Sequence, residues 1–335
     1  MNLKRAIIAS CILFLFPAVR AMAENSESSW TETASIKYFG ICDGSAAIRI
    51  DGTTLLVAND ETNIVHSFDI WGGAPIASFD LGNLLSLDLE EPEIDFEAIA
   101  KHGNRLWWIG SHSRSKKGKK RVSRRVFFAT NVPSRDLSDM RIVSRQYDML
   151  PVLLAHPDLS EILTNEILKT APKEGGLNIE GMSVRPNGSI MLGFRAPLSQ
   201  PGGTTGHALI AEIFPEDESW SVSSVSQLQL NDRGIRDMVW SNDGLIISSG
   251  PVSSNGSFSF FSWDGQGSPE PFGIPTNHDL HPEALVQVGS NWLVMSDDGS
   301  QARQSENGDV KDCKDIFEEG EVDNVFFRAR MLSRR

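Results

Sequence analysis

The chain is 335 residues long, 40 % hydrophobic, and carries 31 Lys and Arg against 44 Asp and Glu, for a formal net charge of −13. So acidic a balance lacks the basic face that nucleic-acid binding requires, and it suits solubility and cation binding instead. Beyond the N-terminus no stretch approaches the ~20 uncharged apolar residues of a spanning helix, and the length allows one large all-β domain or two ordinary ones.

Lys4 and Arg5 precede an apolar run from Ala6 to Val19, and the small-residue triplet Ala21-Met22-Ala23 closes it. This is the order of a secretory signal peptide, residues 1–23, cleaved near Ala23 to leave a mature domain, 24–335, in the periplasm or outside the cell. Ile8-Ala9-Ser10-Cys11 looks like the box ahead of a lipid-modified cysteine, but too little apolar sequence precedes Cys11 and the run continues beyond it. Two cysteines are then left, Cys42 and Cys313. They form either a disulfide stapling the two ends or a pair of buried thiols. No Pro-rich or Gly/Ser-rich linker interrupts the chain, which favours a single domain.

Five segments repeat one order of features: an acid, a small or apolar residue, alternating apolars, a Gly-containing turn and a second apolar strand. The first and loosest is Asp43 to Ile48, turning at Asp51-Gly52 into Leu55 to Ala58. Phe96-Glu97-Ala98-Ile99 turns at Gly103-Asn104 into Leu106 to Gly110, and Ile179-Glu180-Gly181-Met182 turns at Asn187-Gly188 into Ile190 to Gly193. Arg236-Asp237-Met238 leads through Asp243-Gly244 to Leu245-Ile246-Ile247, and Pro282-Glu283-Ala284 through Gly289-Ser290 to Trp292 to Met295. Short strands joined by turn dipeptides at a spacing of about 45 to 55 residues are the signature of propeller blades. A two-sheet sandwich does not explain why the acid recurs at one place in each unit. The fold expected is therefore an all-β propeller of five blades, with six as the alternative. The last unit lacks a strand and the mature start offers an unpartnered one, Ile36 to Phe39, so the ring is expected to close by pairing the two ends. Such closure brings Cys42 and Cys313 into one neighbourhood.

One segment, about 151–172, departs from the β pattern. Leu159, Ile162 and Leu163 run on to Ile167-Leu168-Lys169 at helical spacing, with Asp158 or Ser160 as cap and Pro172 as breaker. This reads as an inserted amphipathic helix that precedes an inner strand and is placed to act as a lid.

In a propeller the inner strands line the channel, so Glu97, Glu180, Asp237 and Glu283, with Asp43 beside them, are expected to form a ring of carboxylates; Asp95, Asn178 and His281 lie just ahead of these. Like charges crowded on one axis call for a cation, protonation or pairing with arginine. An oxygen-only set favours a hard ion, calcium before magnesium, whereas zinc is disfavoured because no His/Cys ligand spacing occurs. Solvated or salt-bridged acids in a wet channel are the plainer alternative. Asn59-Asp60-Glu61, Ser111 to Arg114, Arg195, Ser248-Ser249 and Ser296-Asp297-Asp298 follow the second strands and should rim the same mouth. Arg114 and Arg195 suit a phosphate or carboxylate, or else pair with the ring. Lys116, Lys117, Lys119, Lys120, Arg121, Arg124 and Arg125 form a basic run in an acidic protein, fit for an anionic envelope polymer or substrate, or simply a solvated hairpin. No G-x-S-x-G elbow or phosphate-cradling loop is present. If the chain is a hydrolase, the available groups are a metal, His112 or a carboxylate such as Glu97 or Glu180 as base, and arginines for developing charge.

Asp95-Phe96-Glu97-Ala98-Ile99, Gly110-Ser111-His112-Ser113-Arg114-Ser115, Asn178-Ile179-Glu180-Gly181 and Gly193-Phe194-Arg195-Ala196-Pro197-Leu198 together resemble an uncharacterised exported bacterial family known only as a domain of unknown function. The resemblance covers most of the mature chain. More distantly the acid pattern is similar to the esterase-like phytase propellers and to calcium-dependent lactonase propellers. Those resemblances imply Glu97, Glu180 and Glu283 as cation or substrate contacts. At Asp237 the pattern departs, because Arg236-Asp237-Met238 replaces Glu-Gly or Glu-Ala. The function expected is a monomeric exported propeller that binds a divalent cation and an anionic small molecule and hydrolyses a phosphate or carboxylate ester; the alternative is a non-catalytic binding or scaffold propeller of the cell envelope.

Overall fold

The computed structural model describes residues 29–200, 205–216, 219–275, 279–322 and 324–335; the expected leader, 1–23, and its cleavage point lie outside the described residues. After β1 (Trp30–Phe39) the chain lays down one antiparallel sheet per repeat. β2 (Ala46–Arg49), β3 (Thr54–Ala58), β4 (Ile64–Asp69) and β5 (Ala77–Asp80) make the first blade, and β6 (Phe96–His102), β7 (Arg105–Gly110) and β8 (Phe127–Asn131) the second. Two short helices follow, α1 (Leu150–Leu154) and α2 (Pro157–Ile162). The third blade is β9 (Asn178–Val184), β10 (Ile190–Ala196), β11 (Ala208–Glu216) and β12 (Ser219–Leu228); the fourth is β13 (Gly234–Ser241), β14 (Gly244–Gly250), β15 (Ser259–Trp263) and β16 (Glu270–Pro271). β17 (Pro282–Val288) and β18 (Asn291–Ser296) begin the fifth. An insert with the hairpin β19 (Ala302–Gln304) and β20 (Val310–Asp312) and the helix α3 (Cys313–Glu318) then leads to β21 (Phe326–Arg334). Each of β2, β6, β9, β13 and β17 abuts the inner strand of the next blade, and β17 meets β2, so five blades close a ring.

The burial patterns follow from this stacking. An inner or second strand has a blade on both faces, so β3 and β10 are buried at every position and read as continuous apolar runs. Outer strands keep one wet face and alternate, as β1 does. The fifth sheet has the order β1-β21-β18-β17: the two ends pair in register, Ile36 opposite Ala329 and Tyr38 opposite Phe327, as the unpartnered strand predicted. Closure removes the open edges that two free termini would leave. Tyr38 secures it by stacking on Phe327 and donating its hydroxyl to the Ile70 carbonyl at 2.8 Å.

The inserted helix differs from expectation. Instead of one helix to Lys169, α2 ends at Ile162, Leu163 leaves helical geometry, and the chain restarts as a single 3-10 turn, Ile167–Lys169. Thr164 is the cause: its hydroxyl accepts the Ile167 N–H and its carbonyl the Leu168 N–H, so it caps a second turn rather than continuing the first. The segment is no lid either. Leu153, Leu159 and Leu163 are buried with Phe127, Ile213 and Trp220 on the flank of the second and third blades, which fixes them in place. Among the described residues no helix is long and apolar enough to cross a membrane.

Candidate functional site

The starts of the inner strands and the ends of the second strands open on one face, where they enclose a cavity of about 910 Å³. Its floor is formed by Asp95, Glu97, Asn178, Glu180 and Glu283, and its sides by Asp43, Asp60, Glu61 and Asp297 and by Lys116, Lys117, Lys119, Lys173 and Lys314. Apolar lining is sparse, chiefly Pro172, Pro251 and Phe258.

On the floor, arginines neutralise most of the ring. Arg236 is buried on the axis and pairs with Glu180 at 3.0 Å and with Glu283. Arg195 donates to the other Glu180 oxygen at 2.8 Å and is held from behind by the carbonyls of Pro251 and Ser253. The backbone of Arg195 is pressed against Gly234, where a Cβ would sit 2.0 Å from the Arg195 carbonyl oxygen. Asp95, in left-handed backbone geometry, accepts from Ser111 and pairs with Arg124 at 2.7 Å, and Arg124 also reaches Glu93. Burial raises the Asp95 carboxyl to about 6, against the pull of Arg124 and Ser111.

Glu97 is the exception. It is 8 % exposed and, among the described residues, has neither a salt bridge nor a hydrogen bond. Burial, then the charges of Glu180, Asp95 and Asp60, push its carboxyl well above the usual range, with Arg236 opposing. Beside it Asn178 donates its amide to Glu180 at 2.6 Å, which turns the Asn178 Oδ1 away with no partner of its own.

A second acidic group lies toward the first and fifth blades. One carboxylate oxygen from each of Asp43, Asp60 and Glu61 falls within 4.8 Å of the others. Among the described residues the Asp43 side chain accepts from Ser45 alone, at 2.8 Å, and Glu61 keeps one buried oxygen unpaired. Asn59 builds the turn that presents them by accepting from the Thr62 N–H and hydroxyl, both at 2.9 Å. Burial raises both the Asp43 and Asp60 carboxyls well above the usual range, helped by Asp60, Glu61 and Asp297 at Asp43 and by Asp95, Asp297 and Glu61 at Asp60. Opposite these acids the basic run divides in two. Arg121, Arg124 and Arg125 fold back onto Glu91, Glu93 and Asp148, whereas Lys116, Lys117, Lys119, Lys173 and Lys314 have no salt bridge among the described residues.

Three expected site residues lie elsewhere. His112 does not line the cavity: its Nδ1 bonds the Gly110 carbonyl at 2.9 Å and its Nε2 accepts the Met149 N–H at 3.1 Å, so neither nitrogen is free to act as a base. Burial lowers its basicity further. Arg114 is spent on the carbonyls of Leu168 and Gly118, anchoring the basic loop. Asp237 points between blades, accepting the N–H groups of Met238 and Leu285 at 2.7 Å each, and is no cation ligand of the channel. Arg236, not Asp237, occupies the bulge position that holds Glu97, Glu180 and Glu283 in the other inner strands, and so takes the axial position. Asp298 likewise leaves the rim: fully buried, it accepts from Ser296, Arg303 and Arg328. Glu97, Glu180, Glu283, Arg195, Lys116 and Lys117 do converge as expected. Lys173 and Lys314 were not singled out from sequence, since each is an isolated lysine beside a turn or helix start. Cys42 and Cys313 are bonded.

The family model described as "Protein of unknown function (DUF3616)" matches residues 44–127 and 129–311. The chain belongs to that family. Among curated proteins none matches this DUF3616 chain. Solved structures similar to it include a glutaminyl cyclase of Myxococcus xanthus, 9 % identical with a TM-score of 0.44 over 90 % of this chain and 96 % of that one. Another is a PQQ-bound aldose sugar dehydrogenase of Streptomyces coelicolor, 7 % identical with a TM-score of 0.45 over 91 % and 98 %. A third is a gluconolactonase of Xanthomonas campestris, 13 % identical with a TM-score of 0.39 over 83 % and 77 %. At these scores the likeness carries no argument about chemistry.

Proposed function

We propose that this chain is an exported, monomeric propeller whose cavity binds a divalent cation, calcium by preference, together with an anionic small molecule or the end of an anionic envelope polymer. One observation carries the reading: carboxylates and lysines that have no salt bridge among the described residues line a single cavity. Three carboxylates this close cost free energy unless protonated or bridged by a cation, and their oxygens suit a hard ion. The cation belongs at Asp43, Asp60 and Glu61 rather than on the ring, because Arg195 and Arg236 already neutralise Glu180 and Glu283. The lysines supply point charges for a phosphate or carboxylate. The disulfide is consistent with export, since such bonds persist in oxidising compartments.

For an ester ligand, Glu97 is the group placed for proton transfer. A carboxyl whose hold on its proton is strengthened by burial can give that proton to a departing alkoxide while water adds to phosphorus or carbon, the water's proton then restoring the carboxyl, and the lysines hold the charged end. With both nitrogens of His112 engaged, a non-catalytic binding propeller is the second reading.

Calorimetric titration with calcium alone and with para-nitrophenyl phosphate alone tests the binding. Both are expected to bind, calcium about tenfold or more weakly to Asp43→Asn/Asp60→Asn; absence of calcium binding by the natural chain removes the cation. A panel of chromogenic phosphate and carboxylate esters separates the two readings. Turnover that drops about 10²-fold or more in Glu97→Gln supports the hydrolase, and binding without turnover supports the binding propeller.

A further inference from the structure

The acidic wall of the cavity has an unusual foundation. Asp43 follows Cys42 directly, and Lys314 follows Cys313; both charged residues line the cavity, and the two cysteines are bonded across 271 residues of sequence. The Cys42 carbonyl accepts the Asp298 N–H at 3.0 Å, next to Asp297, another member of the wall. Cys313 and Lys314 in turn donate their N–H groups to Gln301 and Gly299 at 2.9 and 3.0 Å. Asp43, Asp297 and Lys314 are thus set by a single knot of chain with the disulfide at its centre.

The knot is also held by Asp298, which accepts from Ser296, Arg303 and Arg328, but the disulfide is its one covalent tie to the start of the first blade among the described residues. The insert between β18 and β21 has a small apolar cluster, Cys42, Cys313, Ile316 and Val325, joined to the core of the first and fifth blades through Phe317. The helix α3 has six residues, far below the length at which a helix stands alone in water. Without the bond, two of the four buried members of the cluster become unlinked thiols, and α3 has no covalent tie to the start of the first blade. The ring itself does not depend on the bond, because β1 and β21 close it through their own ladder and the Tyr38–Phe327 stack.

We propose that the Cys42–Cys313 disulfide is the positioning device of the acidic wall, so that the cavity becomes competent to bind only after oxidation, while the propeller folds without it. In that step the two thiols give up two protons and two electrons as the Sγ–Sγ bond forms, and a protein disulfide donor takes them up and leaves as a dithiol. Once formed the bond is fully buried, which shields it from small reductants. A chain still in a reducing compartment therefore carries no working site. The inference rests on the reading of the cavity proposed above.

The test compares the oxidised chain with Cys42→Ser/Cys313→Ser and, as a size-conserving second variant, Cys42→Ala/Cys313→Val. Fold is read by far-UV circular dichroism, local order by amide hydrogen exchange, and binding by titration with calcium alone and para-nitrophenyl phosphate alone. Both variants are expected to keep the spectrum and the protection of β9 and β10, to exchange about tenfold or more faster over 299–318, and to bind calcium about tenfold or more weakly. Ile246→Val in the fourth blade, destabilising but remote, is expected to leave calcium affinity unchanged. Unchanged exchange over 299–318, or unchanged calcium affinity, overturns the proposal, and so does loss of the propeller spectrum in both variants. If the oxidised chain binds neither probe, the reading of the cavity fails, and with it the claim that oxidation confers binding, while the exchange data still report whether the bond orders the wall.

Discussion

Two carboxylates one blade apart, Glu97 and Glu180, occupy equivalent positions in their repeats yet live in different chemistry. Glu180 is held by Arg195 and Arg236, whereas Glu97 has no guanidinium and is pushed toward the neutral form by burial. The same logic governs Asp43 and Asp60, whose carboxyls are raised by burial and by neighbouring carboxylates. A cation must displace their protons, so calcium affinity is expected to rise with pH, with a midpoint above the ordinary carboxylate range, which titration at a series of pH values will check. The linkage to folding runs the opposite way without the ion. Groups whose folded pKa is raised bind more protons in the folded state, so stability falls as pH climbs from the unfolded value through the folded one. Calcium should therefore raise the melting temperature more at pH ~8 than at pH ~5; saturation to a hundred times the dissociation constant is worth about 2.7 kcal/mol. An equal shift at both pH values would show that these acids are not the ligands.

At the scale of the element, two predictions concern closure and the mouth. Tyr38 stacks on Phe327, meets Phe68 edge-on and donates to Ile70, tying β1 to both the last and the first blade. Tyr38→Ala is expected to cost about 3–5 kcal/mol by urea denaturation. Tyr38→Phe, which leaves only the Ile70 carbonyl short of a donor, should cost about 1 kcal/mol. The basic loop is anchored by Arg114, Arg121 and Arg124 and presents its lysines to the cavity. Replacing Lys116, Lys117 and Lys119 by Ser is expected to weaken para-nitrophenyl phosphate binding by about fivefold or more and to flatten its salt dependence, with the melting temperature unchanged. Gly234→Ala tests the close approach behind Arg195: the added methyl has no room against the Arg195 backbone, so stability should fall and the Arg195–Glu180 pair should be displaced.

Across the whole molecule the propeller divides its labour. The ladders and aromatic contacts of the blades carry the ring, while the site is assembled from loops of every blade together with one insert stapled by Cys42–Cys313. Much of this was legible in advance. The recurring acid, the turn dipeptides and the unpartnered strand at residues 36–39 predicted the repeat, its fivefold count and its closure, because each blade must satisfy the same local rules of alternation and turning. The helix broke where Thr164 caps a new turn, a local competition that apolar spacing does not register.

Sequence alone determined the ring, since a repeated pattern that buries both faces of its inner strands has few other ways to hide them, and it indicated part of the mouth, Glu97, Glu180, Glu283, Arg195, Lys116 and Lys117. Which of those residues remain chemically available was decided only by tertiary structure. Arg236 and Asp237 are neighbours in sequence, yet a bulge sends one to the axis and the other between blades; His112 and Arg114 lie off the cavity, bonded to the backbone of Met149 and Leu168. Availability depends on which buried donor finds which acceptor across tens to hundreds of residues, and on where opposite charges cancel. In this chain those pairings leave Glu97, the trio Asp43, Asp60 and Glu61, Asp297, Glu318 and the facing lysines among the described cavity residues without a salt bridge.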